Sequence, residues 1–489
     1  MTRTTRILVA ALLATPALAG AQAKTKAKPA PTPAPAVKQP TQRDELERII
    51  QRKLLPNGLE VIVIENHAVP LATVELVVKN GAFTQTPEYA GLAHMYEHMF
   101  FKSNDDYPQP DQFVARASEL GAIYNASTRE EVVNYYMTVP TDSLQGAMEF
   151  LEVAFRAPKF RRDELERERQ VVLGEYDRQE SSPFFQLTQK MDSVMWGSEV
   201  SRKNTIGERS VIATVTPEKM FEIEKRYYIP NNAALIIAGD VDPETSFRMA
   251  DAIFGKLPRG DDPNVKYPIP DFPPLTKSAA VIVEEPVNTV AVLVQWRGPS
   301  VQKDPEATYA ADVFSGLLNQ DGSTFQKRLV DSGLWSEVVV NYYTLNHVGP
   351  ITISGETSPE KLKAAVAALY QEIAQFDKPG YLSESELEPQ KQQRAVGTAM
   401  GLERASGFAH ELGFWWSVAS LDYYMGYVDN MARQNLADMR AYAKKYIVGK
   451  PHVVGVLIAP DARRAIGLTD KDVLGDSVTT SSINPRSPK

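Results

Sequence analysis

The stretch Gly91-Leu-Ala-His-Met-Tyr-Glu-His-Met-Phe-Phe-Lys102 decides how this chain of 489 residues is read. On an α-helix, residues four apart lie one turn above each other, so His94 and His98 share a face where two imidazoles can grip one ion. Glu97 stands beside them and can reach the same pocket without being needed as a ligand. The competing reading of three polar residues on one helix face is a solvated surface patch. Against it, Leu92, Met95, Met99, Phe100 and Phe101 make the helix largely apolar and therefore buried. Buried ionisable groups without a partner are costly, and a metal ion supplies the partner.

H-x-x-E-H is the inverse spelling of the H-E-x-x-H arrangement of zinc proteases. The residue types suit hydrolysis, since neutral imidazoles bind zinc and a neighbouring carboxylate can take the proton of a water. What two histidines lack is a third ligand. The charged helical segment 163–179 offers one: Glu168 and Glu175 are two turns apart on one face, and Val171, Val172 and Leu173 suggest that Glu175 faces inward. The other charges of that segment read as a solvated face laced with i,i+4 pairs.

Working outward, residues 59–64 and 71–78 are β-branched runs that read as strands, the first after the turn signal Asn57-Gly58. Gly81 closes the second strand ahead of the histidine stretch. Residues 111–120 predict a helix stopping at Gly121, and 122–140 two strands around the polar turn 128–131. Residues 231–240 read as a buried strand. The Pro- and Asp-rich segment 258–274 reads as a linker. Beyond it come strands at 279–284 and 289–296, helical stretches at 307–318 and 322–331, strands at 336–343 and 351–355, and a helix at 359–376. This order partly repeats that of the first half. The expectation is an α+β fold of two related domains, each a mainly antiparallel sheet packed with helices.

The expected layout is a signal peptide at 1–23, a disordered Pro/Ala/Lys-rich linker at 24–45, a zinc-binding domain at 46–260, a linker at 261–275, a second domain at 276–470 and a flexible tail at 471–489. The signal-peptide reading rests on a basic start, a short apolar run and the A-x-A-like sites at Ala17 to Ala21. Residues 1–41 hold six basic and no acidic residues, so without them the formal charge moves from -8 to -14. An acidic folded part argues against a nucleic-acid partner, and beyond the signal no stretch is apolar enough for a membrane span. With no cysteine, disulfides and thiolate-held zinc are excluded. Export predicts a periplasmic or secreted location.

In the residues 50–460 the chain resembles the pitrilysin/insulinase family of zinc peptidases, in its bacterial two-domain form. Residues 91–98 are similar to the family's zinc helix, and Glu175 stands at the spacing of its third ligand. Asn125, Ala126 and Thr128 resemble the edge strand on which a peptide pairs, and Pro230-Asn-Asn-Ala with Gly239-Asp240 resembles the end of the family's first domain. The resemblance implies an endopeptidase for peptides or unfolded segments, with His94, His98 and Glu175 holding one Zn2+ per chain. Glu97 would be the general base, Glu168 a support behind the ligands, and Asn125, Ala126 and Arg328 would meet the substrate. One departure stands out: where the family often carries a Tyr seven residues after the Arg, this chain has Trp335, whose indole donates but cannot accept. The resemblance therefore implies a homodimer, or a heterodimer with a non-zinc family member bearing an Arg/Tyr pair. An alternative is a non-catalytic structural or peptide-binding subunit. His67, His347, His410 and His452 read as ordinary polar or core residues, and the aromatic run 408–427 as a helical core.

Overall fold

The computed structural model describes residues 41–475. The expected signal peptide, most of the 24–45 linker and the end of the 471–489 tail lie outside the described residues. The part of that linker inside them is not disordered. Thr41 and Asp44 form a capping box that starts the helix Gln42–Ile49, and Leu46 is buried from it. At the other end Thr469 and Asp472 cap the short helix Asp470–Val473, whose Val473 is fully buried, so residues 471–475 are anchored rather than free. In both places a local side-chain cap and one apolar anchor outweigh a polar composition.

Among the described residues, eleven strands form two sheets. The first takes β1 (Ile50–Leu54), β2 (Glu60–Glu65), β3 (Leu71–Val78), β4 (Ile123–Thr128), β5 (Val133–Pro140) and β6 (Ala233–Gly239) in the order β1-β2-β6-β3-β5-β4. The second takes β7 (Ala279–Glu284), β8 (Val290–Arg297), β9 (Glu337–Tyr342), β10 (Pro350–Thr357) and β11 (Val453–Ile458) in the order β7-β11-β8-β10-β9. The last strand of each set in chain order, β6 or β11, inserts parallel to β2 or β7 and antiparallel to β3 or β8. The pairings β3 with β5 and β8 with β10, β4 with β5 and β9 with β10, are antiparallel in both, and β1 adds to the first sheet an antiparallel strand on β2 that the second lacks. The two units are thus repeats of one mainly antiparallel, mixed sheet in an α+β fold. Segment 258–274, between them, contains only the one-turn helix Pro263–Lys266.

Burial explains why the central strands read as unbroken apolar runs rather than alternating ones. Both faces of the first sheet are covered, so β6 is buried along its whole length. The histidine helix (Leu92–Phe100) and its neighbours cover one face, around Val61, Leu76, Leu92, Met95 and Tyr135. The other face is covered by a helix of the second unit, Ala405–Val418, through Phe408, Leu412 and Ala409. Its Gly413 permits the close approach, because a Cβ there would lie 2.8 Å from Val77 and 3.0 Å from a carboxylate oxygen of Glu75. In return the first unit lends the helix Pro183–Trp196, whose Leu187, Met191, Met195 and Trp196 pack on Val283, Leu293, Val453 and Leu457 of the second sheet. Each unit therefore completes the other's core. Burial of that kind stabilises by about 25 cal/mol per Å2 of apolar surface, which ties the two halves into one body.

Candidate metal centre

Two helices build the site. The histidine helix starts at Gly91 and buries Leu92, Met95, Tyr96, Met99 and Phe100 beneath it, which turns His94, Glu97 and His98 to the opposite, partly open side. The nineteen-residue helix Arg162–Glu180 lies across it, anchored through Leu165, Val172 and Tyr176. That anchoring aims Glu168 and Glu175 at the histidines.

The geometry is that of a ligand cluster. One carboxylate oxygen of Glu175, Oε2, lies 3.6 Å from Nε2 of His94 and 3.6 Å from Nε2 of His98. The two rings stand edge to face at 88°, their centroids 4.8 Å apart. Among the described residues these three are the group whose ligand atoms converge, all within 4.8 Å of one another. Two atoms bound at about 2.0–2.1 Å to one tetrahedral ion would sit about 3.4 Å apart, which the two 3.6 Å spacings to Glu175 approach.

Electrostatics agree with the distances. Burial pushes the pKa of His94 down to about 4, with the neighbouring His98 adding to the shift, so its imidazole is neutral at pH 7. Nδ1 of His94 is buried with no hydrogen-bond partner. His98 is also desolvated, but its hydrogen bond with Glu168 and the charges of Glu175, Glu97 and Glu168 outweigh burial and raise its pKa. Nδ1 of His98 lies 3.3 Å from Oε2 of Glu168, whose other oxygen takes a 2.7 Å bond from Nζ of Lys102. A proton on Nδ1 turns the Nε2 lone pair towards Glu175. When that proton is the ring's only one, two acceptors face each other there, an arrangement that a cation relieves.

Glu97 lies beside this cluster. Its Oε2 accepts a 2.6 Å hydrogen bond from the hydroxyl of Thr128, at the end of edge strand β4. Burial raises the Glu97 pKa, Glu175 adds to the rise, and the Thr128 hydroxyl and His98 temper it. The cluster thus offers a metal-holding triad, a carboxylate poised nearer neutrality than an ordinary glutamate, and a strand edge alongside.

The structure brings His94, His98, Glu175, Glu97 and Glu168 together. Asn125 and Ala126 lie in β4, where Oδ1 of Asn125 accepts from the Ala126 amide at 2.9 Å. Arg328 is elsewhere, in the π-helical turn Lys327–Asp331, and its hydrogen bonds run to Glu372, which also accepts from Tyr381 at 2.7 Å. Trp335 is a core residue, 2% exposed, with its indole N–H on the Ala365 carbonyl at 3.2 Å. Sequence reasoning gave no role to the Thr128 hydroxyl or to Lys102. The sequence marks neither, because each partner comes from a different element.

Comparison with known proteins places this geometry. Residues 60–207 match the family described as insulinase (peptidase family M16), and residues 214–394 match the peptidase M16 inactive domain. The chain is 24% identical over 364 residues to the zinc protease PqqE of Helicobacter pylori, covering 73% of this chain and 80% of that one. It is 23% identical over 362 residues to an uncharacterized zinc protease of Rickettsia felis, covering 73% of this chain and 85% of that one. Among solved structures, a protease from Helicobacter pylori superposes with a TM-score of 0.75 at 22% identity, over 83% of this chain and 99% of the other. The first half of the periplasmic protease PqqL from Escherichia coli superposes with a TM-score of 0.71 at 17% identity, over 90% and 98%. At those identities the structures establish the fold. Among the described residues, no helix is long and apolar enough to cross a membrane.

Proposed function

The chain belongs to the insulinase family of peptidases, family M16, and from that premise we propose that it is an exported zinc endopeptidase acting on peptides or unfolded protein segments. One observation carries the reading: two imidazoles and a carboxylate from separate helices converge on one point, with Glu97 beside them. His94, His98 and Glu175 would hold the ion, one per chain. Zinc there would polarise the scissile carbonyl and acidify a water.

Glu97 takes the proton of the attacking water. Its desolvation brings its proton affinity closer to the working pH, where a general base is most effective. Thr128 holds Oε2, which leaves Oε1 for that proton. Glu168 fixes the His98 ring, and Lys102 in turn keeps Glu168 charged. Strand β4 pairs with β5 on one side and is the end strand of its sheet, so its other edge can accept an extended peptide by strand addition. A peptide running along Asn125 and Ala126 towards Thr128 passes the base.

The substrate carbonyl would need a further donor, and Trp335, committed to Ala365, is not free to serve. We therefore assign that role to a partner chain, a second copy or a non-zinc family member with an Arg/Tyr pair. In support, this chain spans 51% of the length of the Escherichia coli PqqL structure, which it matches with a TM-score of 0.72. The N-terminal sequence and the periplasmic location of that relative support export. The same Trp335 is the observation behind a second reading, a peptide-binding subunit without activity. Glu97→Gln separates them: a zinc-loaded, folded variant should lose cleavage that the unaltered chain performs, whereas a binding subunit shows no cleavage in either form.

A further inference from the structure

We infer that the second unit positions Glu97, by clamping the 127–134 hairpin that carries Thr128, and that Glu131 and His347 are positioning residues of the site. The inference rests on the peptidase reading only for its effect on turnover.

Thr128 is the last residue of β4, paired with Val133 across the hairpin. Its hydroxyl can hold Glu97 only as firmly as that hairpin is held. The first unit supplies two backbone bonds, from the Ala82 and Phe83 amides to the Arg129 and Glu130 carbonyls, at 3.1 and 2.7 Å. Gly81, at φ 154, makes them possible, because a Cβ there would lie 2.3 Å from the Arg129 oxygen.

Further restraints come from the second unit. Glu131, 8% exposed, accepts from the Asn346 amide at 2.6 Å and from the His347 amide at 3.1 Å, and pairs with Nδ1 of His347 at 2.6 Å. Asn346 and His347 lie in the loop joining β9 to β10, so the equivalent hairpin tips of the two repeats meet. The Arg129 guanidinium sits 5.6 Å from the Phe414 ring of the covering helix Ala405–Val418. Ser127 bonds Asn134 at 2.5 Å, Asn134 bonds Glu75 at 2.6 Å, and the other Glu75 oxygen pairs with His410 of the same covering helix. Apolar contacts already hold the units together. Burying two carboxylates at this junction adds no cheap cohesion, since their desolvation must be offset, but hydrogen bonds with direction fix the hairpin where dispersion would let it slide.

The test uses the full zinc-loaded chain. Glu131→Ala and His347→Ala should stay folded, with zinc content close to that of the unaltered chain. By hydrogen–deuterium exchange, amides of residues 127–134 should exchange about 10-fold faster while those of 92–100 do not change. On an unstructured quenched peptide kcat should fall about 10-fold with KM within about twofold, since small displacements of a catalytic group cost this much or more. Glu131→Gln, which still accepts both amides, should recover most of the loss. In a Thr128→Val background the loss should vanish, because the clamp acts through that hydroxyl. Unchanged hairpin exchange in both Glu131→Ala and His347→Ala, or a kcat loss that persists in full with Thr128→Val, overturns the inference. Should Glu131→Ala fold poorly, His347→Ala at a partly exposed position gives the same readouts. Should the unaltered zinc-loaded chain cleave nothing on its own, that points to the absent partner chain or to a binding subunit, and hairpin exchange still decides the clamp.

Discussion

Replacing Glu168 by Gln probes the support behind the proposed metal ligands. Oε2 of Glu168 holds the His98 ring through Nδ1 at 3.3 Å, and Oε1 holds Lys102 at 2.7 Å. The carboxylate side chain is only 15% exposed, so solvent replaces neither contact well. Its hydrogen bonds outweigh the burial that disfavours its charge, which keeps it ionised at neutral pH. Gln can still accept from His98, but without the charge that makes the imidazole a better donor of electrons to an ion. It also leaves the Lys102 ammonium uncompensated close to the metal. Partners of this kind set metal affinity by 10–100-fold, which is about 1.4–2.7 kcal/mol. We expect about 10-fold weaker zinc for Glu168→Gln and about 100-fold for Glu168→Ala, where orientation is lost as well. Competition of the purified chain with a chromogenic chelator at fixed pH measures both. Zinc bound by Glu168→Gln within twofold of the unaltered chain would refute this account of His98.

Removing a ligand should cost more than removing its support: Glu175→Gln should weaken zinc by more than Glu168→Gln in the same competition assay. His410→Ala leaves fully buried Glu75 with Asn134 as its remaining side-chain donor, so unfolding in urea should reveal a loss of about 3–5 kcal/mol. Burial alone raises Glu224 from its ordinary 4.5 to about 7. The folded chain then binds that proton more tightly than the unfolded one, so stability is lost as pH rises through this window. Glu224→Gln should accordingly raise the melting temperature at pH 8, by at most about 3 kcal/mol of stability, and leave it unchanged at pH 4.

Much of the site was legible because its signal is local. His94, Glu97 and His98 sit within one helical turn and a half, and the heptad spacing of Glu168 and Glu175 declared a shared face. The hairpin at 122–140 was legible through its polar turn. Strands β1 and β11 and the helix Pro183–Trp196 were not: β1 is a five-residue strand with three exposed positions, and the helix buries its apolar face on the other unit's sheet. The aromatic run around Trp415 and Trp416 reads as core, yet nothing in it tells which sheet it covers. Its Trp416 indole bonds Glu60 of the first unit at 2.8 Å. His347 and His410 read as ordinary singletons. Their importance comes from Glu131 and Glu75, more than two hundred residues away in sequence, and that pairing exists only once the repeats have docked.

The central claim is that this chain hydrolyses peptides with zinc at His94, His98 and Glu175 and with Glu97 as base. The direct test is cleavage of an unstructured, internally quenched peptide by the full chain, before chelation, after chelation and after zinc is restored, beside zinc-loaded Glu97→Gln. The account predicts cleavage that disappears with the metal, returns with zinc, and is absent from Glu97→Gln. Cleavage that survives chelation, or equal turnover by Glu97→Gln, would contradict it.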